Sequence, residues 1–303
     1  NKLFDWQYLS KNDYNFYILK VKRNIKAVQG YISTSRYDET IKNDTIFLSI
    51  WSSSEISAGS KLFFSFMKKI KYSLLVGLGS TKESFLFQKM LKFKCGYMDH
   101  FFLTSNSKSK LMIFPSNFTN MKKIKINKNF KRLNSVEQIA KIDENIFKNQ
   151  YPKKSKKYLV NRYFLHPFYK YHLYEILDGK KSLALFVLRI CKYKKKSAIR
   201  IVDFIGEKHS FEYGKFLFRY LLKKFQAEYI DIYSYGIPKK ILEKSGLENI
   251  SKYSYKKIIV PNYFEPFVRK NVKLAYALKY KLEIRNKIKL FKGDSDLDRP
   301  NKI

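Results

Sequence analysis

Ile46-Phe47-Leu48-Ser49-Ile50-Trp51 opens the stretch that decides the fold, Thr45 to Leu103. The run is apolar and of strand length. It leads through the small residues Ser57-Ala58-Gly59-Ser60 into a helical segment, Lys61 to Ile70. A second apolar run, Leu74-Leu75-Val76-Gly77-Leu78-Gly79, precedes a second helical segment, Glu83 to Leu91, and a third strand, Gly96 to Leu103. Strands alternating with helices in this way imply a sheet layered with helices. Small residues between a strand and a helix let backbone N–H groups approach a ligand, and the helix N-terminus behind them favours phosphate. A cofactor carrying a pyrophosphate is the first expectation. Gly77 and Gly79, inside an otherwise apolar strand, fit close backbone approach.

Upstream, Asn1 to Leu9 reads as the end of a helix, and Asn15–Val21 with Ala27–Ser33 as a hairpin turning at Lys22 to Lys26. Downstream, Ser105 to Lys110 is a polar break and Met112 to Lys131 is lysine-rich. Beyond it come two helices, Val136 to Lys148 and Ser155 to Phe164, then a hairpin, Tyr171–Leu177 with Ser182–Ile190. Strand Ile199–Ile205, helix Phe211–Phe225, strand Tyr229–Tyr233 and helix Pro238–Lys244 follow. A last strand spans 272 to 280, where apolar residues alternate with a period of two. The second half thus repeats the element order of the first. The expected class is α+β: two tandem units, 1–110 and 135–303, joined by a linker over 111–134. Each unit holds a mixed, mostly antiparallel sheet flanked by helices.

The block resembles the acyl-CoA-binding core of the Gcn5-related N-acetyltransferase (GNAT) superfamily. The family's turn, roughly Arg/Gln-x-x-Gly-x-Gly/Ala, corresponds to Ser54-Glu55-Ile56-Ser57-Ala58-Gly59, in which only the last glycine is kept. The family's Leu-Tyr-x-x-x-Gly-Phe corresponds to Phe87-Gln88-Lys89-Met90-Leu91-Lys92-Phe93, so its tyrosine falls on Gln88 and its glycine on Lys92. Further runs resemble a subgroup found with bacterial surface-polysaccharide biosynthesis. They are Gln29 to Asp38, Gly96 to Phe102, His166 to Tyr171, Ile201 to Gly206 and the tail Lys292 to Asn301. A family domain begins with one more strand and helix, so the resemblance implies that the first unit lacks about 25–30 residues at usual element lengths.

The resemblance implies acetyl-CoA or another acyl-CoA as cofactor, held by Ile50, Trp51, Ser57, Ala58, Gly59, Ser60, Lys61, Gly79 and Gln88. It also implies direct attack of an amine or hydroxyl on a thioester, which needs a proton acceptor and a grip on the carbonyl oxygen. His100, in a strand after the cofactor helices, and Asp203, a carboxylate inside an apolar strand, are the candidate bases. A buried carboxylate is costly unless paired, so the alternative for Asp203 is a structural partner for a lysine. For His100 the alternative is a hydrogen-bonded strand histidine. Arg36, Asp38, His166, Asp294, Asp296 and Arg299 are the candidates for holding an acceptor between the two units. The acceptor implied is a sugar or nucleotide sugar. An aminoacyl-tRNA-dependent (Fem-like) transferase and a non-catalytic binding module are the alternatives. The second turn, Gly206-Glu207-Lys208-His209-Ser210, puts an acid where a pyrophosphate would lie, so a second cofactor site is not expected there.

Composition sets the outer limits. The 303 residues, 45% of them hydrophobic, suffice for a real core. No apolar run reaches transmembrane length, and Asn1 to Trp6 does not read as a signal peptide. Cys95 and Cys191 read as two reduced thiols, which points to the cytoplasm. The net charge of +37 invites a nucleic-acid reading. Lysine, spread along the chain, far outnumbers the arginine that bidentate phosphate recognition favours, so compositional bias is preferred over nucleic-acid binding. The aspartates of the tail lack the glycine and the terminal glutamate of a calcium loop, and no metal is expected.

Overall fold

The computed structural model describes residues 1–10, 12–42, 45–105, 111–112, 129–253 and 258–298. Most of the expected linker and Arg299 therefore lie outside the described residues. The first part contains α1 (Lys2–Tyr8), β1 (Phe16–Val21), β2 (Asn24–Ser33), β3 (Thr45–Ser53), α2 (Ile56–Lys69), β4 (Leu74–Leu78), α3 (Lys82–Met90), β5 (Lys94–Tyr97) and β6 (Asp99–Thr104). The second contains β7 (Asn129–Leu133), β8 (Tyr171–Asp178), β9 (Lys181–Tyr193), β10 (Lys196–Gly206), α4 (Gly214–Lys224), β11 (Tyr229–Tyr235), β12 (Glu248–Asn249), β13 (Ala275–Tyr280) and β14 (Leu290–Phe291). The class is α+β, as expected.

Two sheets carry the fold, in the orders β1-β2-β3-β4-β13-β5 and β12-β6-β11-β10-β9-β8-β7, with β14 on β11. Each has one parallel pair, β3 with β4 and β10 with β11, among antiparallel neighbours. A helix makes each parallel crossover, as a βαβ connection requires. α2 buries Phe63 and Phe66 against Ile46, Leu48 and Leu75, and Leu62 against Ala27. Each such fully buried side chain is worth about 1.5–3 kcal/mol. α4 does the same in the second sheet with Leu217, Phe218 and Leu221. The other faces of the sheets meet in a shared core that joins Phe47, Val76 and Leu78 to Leu185, Val187 and Val202.

The sheets exchange strands, which periodicity does not show. The expected single strand Gly96–Leu103 is two strands that part at Met98: β5 stays in the first sheet and β6 runs antiparallel to β11 in the second. In return β13, from the far end of the chain, lies between β4 and β5. The expected helix Val136–Lys148 is also interrupted, ending at Ala140 before a short 3-10 turn, Glu144–Phe147. Asp143 caps that turn by accepting the Asn145 N–H at 2.9 Å, a local bond that competes with helix continuation.

Candidate active site

β3 and β4 are laddered from Thr45/Leu74 to Leu48/Gly77 and then part. β3 turns toward β2 at the irregularity around Gly30, where Gln29 faces Trp51. A cavity of about 130 Å³ opens beside the parted ends, lined by Gln29, Ser49, Trp51, Gly77, Gly79 and Gln88 among others. The Gln29 amide donates to the Ile50 carbonyl at 3.3 Å and to the Gly30 carbonyl at 2.7 Å. Trp51 Nε1 and Ser49 Oγ are buried without a partner. Gln88 is buried over Gly77, where a Cβ would meet its Nε2 at 2.7 Å, and its Oε1 accepts from Ser80 Oγ at 3.1 Å.

α2 starts at the open end of this groove. Glu55 is its N-cap with no side-chain cap bond, and its carboxylate pairs with Lys26 at 3.0 Å. The Gly59 N–H donates to the Glu55 carbonyl at 3.1 Å. It is therefore engaged within the helix; the first-turn amides of Ile56, Ser57 and Ala58 are the ones without an intrahelical acceptor. Gly59 matters for another reason: a Cβ there would meet Ser53 Oγ at 2.8 Å and Trp51 at 3.5 Å, so the helix start sits close on β3. Ser60 Oγ donates back to the carbonyls of Ile56 and Ser57, both at 3.1 Å, and Lys61 is exposed.

In the second sheet β10 and β11 also part, after Ile201/Ile232, but the gap is filled by the chain itself. β14 pairs with Ser234 and Tyr235 of β11, and the Gly293 N–H donates to the Val202 carbonyl of β10 at 2.6 Å. A Cβ at Gly293 would meet that carbonyl oxygen at 2.6 Å, so only glycine fits. Residues 290–293 thus occupy the second gap.

The tail continues from this plug into the space between the sheets and gathers many of the expected site residues. Asp203 is fully buried. It accepts from Lys154 Nζ at 2.6 and 2.7 Å, Tyr163 Oη at 2.7 Å and its neighbour's Phe204 N–H at 2.8 Å. Asp294 shares Lys154 at 3.0 Å; burial pushes its carboxyl up to about 6 despite Lys154. Burial works against the Lys154 charge too, but the two carboxylates outweigh it and hold the ammonium above its usual value. Asp298 takes the Arg189 guanidinium at 2.8–3.1 Å and the Tyr171 hydroxyl at 2.9 Å. Burial would raise its carboxyl, yet Arg189 and Lys292 hold it down at about 2. Asp38 is held by the Ser155 and Thr40 hydroxyls. Asp296 accepts from Ser295 Oγ at 3.1 Å. Leu297 reaches the groove beside β3 and β4: a Cβ at Gly79, whose φ is +69°, would lie 2.7 Å from Leu297 Cδ2.

His100 lies elsewhere. It lines a cavity of about 240 Å³ with Tyr97, Asp99, Asn249 and Lys273. Its Nε2 is 3.2 Å from Asp231, which Arg200 also holds at 2.9 and 3.0 Å. Burial keeps the imidazole below its ordinary pKa although Asp231 opposes this. This cavity shares no lining residue with the groove beside β3 and β4. Trp6, Lys154, Arg162, Arg189 and Lys292 were not singled out from the sequence; only Arg189, a cation inside the apolar strand Leu185–Cys191, carried a signal there.

The sequence matches no protein-family model, and no curated protein matches it significantly. Among solved structures, a GCN5-related N-acetyltransferase from Anabaena variabilis superposes with a TM-score of 0.51 at 8% identity, covering 92% of this chain and 69% of its own. A protein from Enterococcus faecalis described as a probable N-acyltransferase gives 0.48 at 9% identity; this chain, 86% covered, spans 61% of that one. Saccharomyces cerevisiae N-myristoyltransferase with bound myristoyl-CoA gives 0.45 at 9% identity, covering 92% of this chain and 75% of its own. The Anabaena likeness shows that the fold is GNAT-like, two mixed sheets flanked by helices. Among the described residues no helix is long and apolar enough to cross a membrane.

Proposed function

We propose that the protein is an acyl-CoA-dependent acyltransferase whose acceptor is an amino or hydroxyl group of a sugar or nucleotide sugar. The carrying observation is the pair of parted strands β3 and β4. The equivalent gap in the second sheet is stopped by the protein's own chain, while this one is open beside a helix N-terminus. Backbone groups of Ile50, Trp51 and Gly79 and the first-turn amides of Ile56, Ser57 and Ala58 would hold the pantetheine arm and pyrophosphate, and Gln88 would close the groove. A bound acyl-CoA supplies the acyl group as a thioester.

The acceptor would enter from the opposite face, between the sheets, where Leu297 meets Gly79. The acceptor nitrogen or oxygen bonds to the acyl carbon, the carbon–sulfur bond breaks, and the nucleophile's proton passes to the departing thiolate, which leaves as the CoA thiol. Asp203 does not serve as the base, because its oxygens are taken by Lys154, Tyr163 and a backbone amide. His100, in a separate cavity, has no part in this transfer. The sugar reading is supported by the resemblance of Gln29–Asp38, His166–Tyr171 and the tail to polysaccharide-associated transferases, and these runs meet in the inter-sheet space.

The test is CoA titration followed by Trp51 fluorescence, in the native chain and in Gly77→Val. A valine there fills the groove against Gln88. Saturable quenching in the native chain, weakened at least tenfold in Gly77→Val, supports the assignment; no saturable response in the native chain overturns it.

A further inference from the structure

Three hydrogen-bonding atoms around the Trp6 indole, Tyr37 Oη, Arg162 Nη1 and His166 Nε2, and a fourth, Nε of Arg36 beside Tyr37, are buried without a partner among the described residues. The Trp6 ring lies 5.3 Å from Tyr37 and 4.4 Å from His166, centroid to centroid. The Arg162 guanidinium sits 5.1 Å from Trp6 and 5.4 Å from Tyr37. Arg36, Arg162 and Asp296 all act electrostatically on the Tyr37 hydroxyl, so they belong to the same neighbourhood.

All four atoms can donate. The arginine nitrogens and the tyrosine hydroxyl do so by nature. His166 Nδ1 already accepts the backbone N–H groups of Phe168 and Tyr169 at 3.1 and 2.9 Å. A neutral ring then carries its proton on Nε2. The ring is neutral: burial, with Arg162 beside it, pushes its pKa down to about 3.

Arg162 is the most costly of these groups. It is 2% exposed, and among the described residues it donates to the Gly293 and Ser295 carbonyls at 2.8 and 3.1 Å, not to a carboxylate. A buried cation without a counter-charge is expensive. The neighbouring carboxylates are engaged: Asp298 with Arg189, Asp38 with Ser155 and Thr40, and Asp296 with Ser295. A cluster of orphaned donors around an uncompensated guanidinium is complementary to an acceptor-rich, negatively charged group.

We propose that Arg36, Tyr37, Arg162 and His166 form a binding site for an oxyanion, a phosphate or carboxylate carried by the acceptor. The assignment to the acceptor rests on the acyltransferase reading above. The position fits it: Arg162 holds Ser295, two residues from Leu297 and hence within about 7 Å of it along the chain, and Leu297 abuts Gly79 at the acyl groove.

The experiment is calorimetric titration of the full chain with UDP and, separately, with glucuronate, without CoA. Tyr37→Phe is the informative variant, because its hydroxyl has no protein partner to lose. Its melting temperature should be unchanged or raised, while affinity for the bound ligand falls about tenfold, the range of a hydrogen bond to a charged group. Arg162→Lys should weaken binding further by removing the unpartnered Nη1 donor. Whichever ligand binds identifies the source of the oxyanion. Binding of neither ligand, or equal affinity in Tyr37→Phe, overturns the proposal. Oxyanion binding in a protein that fails to take up CoA would sink the donor assignment and leave this site standing.

Discussion

Asp203→Asn separates an anchor from a catalyst. Asp203 receives Lys154 through both oxygens, the Tyr163 hydroxyl and the Phe204 amide. Removing one member of a buried ion pair costs about 3–5 kcal/mol, because the surviving charge is left in a low-dielectric interior. Here the loss should fall at the lower end. Lys154 keeps Asp294 at 3.0 Å, and Asp294, now its sole carboxylate, should ionise more fully than its raised pKa of about 6 allows in the native protein. Asparagine also retains one acceptor oxygen. The expected destabilisation is about 3 kcal/mol, a fall in melting temperature of roughly 6–12 °C at the scale of 2–4 °C per kcal/mol. Thermal and urea unfolding measure it. Lys154→Met added to Asp203→Asn should not recover the loss, since it takes from the buried Asp294 the ammonium that Asp203→Asn leaves in place. A variant with native melting behaviour but no acyl transfer would refute the anchor role and restore Asp203 as the base.

The pH profile of stability should rise from acid to mildly alkaline conditions. His166, pushed down to about 3 by burial, stays unprotonated in the folded state while the unfolded chain protonates near 6.5. Stability therefore falls as pH drops below about 6.5, by up to about 1.4 kcal/mol per unit for this group. Lys292 acts with the same sign at higher pH. Burial, with Arg200 and Arg189 facing it and Asp298 and Asp231 opposing, pushes it down to about 7, so between about 7 and 10.5 the unfolded chain binds more protons and stability climbs. Urea midpoints at several pH values check both, and a maximum near pH 6 would contradict the assignment. Separately, fragment 1–110 should not fold alone. It lacks β13, which pairs with β4 over Tyr276–Tyr280 and with β5 over Ala275–Leu278; a cooperative thermal transition in that fragment would refute this.

The order of elements was legible because each strand and helix carries its own period. Ile46–Trp51 and Leu74–Gly79 read as strands and are strands, and the glycines between them mark the groove. The irregular points were not legible. Nothing in Gly96–Leu103 announces a break at Met98, because both halves are apolar enough for a sheet and the choice of sheet is made by distant partners, Ala275–Leu278 and Tyr229–Ser234. The candidate site shows the same divide. Asp203 could be flagged because a carboxylate in an apolar strand needs a partner, yet which lysine supplies it depends on a chain reversal some fifty residues long. Arg162 gave no signal, since a basic residue in a lysine-rich chain reads as a surface charge.

The strand exchange explains why the site forms where it does. β6 and β13 each cross to the other sheet, so the two sheets are tied face to face and cannot drift apart without breaking ladders in both. The second sheet's gap is then free to take up residues 290–293 as a plug, which fixes the direction of the tail. From Gly293 the chain is led past Arg162 to Leu297, beside Gly79 at the first sheet's open gap. One gap therefore serves as a socket for the tail and the other remains open for a ligand. The tail in turn carries Asp294 and Asp298 into the inter-sheet space, where they pair with Lys154 and Arg189, while Arg162 is bonded to tail carbonyls and has no carboxylate partner among the described residues. In this arrangement the segment that fills the gap in one sheet also brings Leu297 to the wall of the open gap in the other.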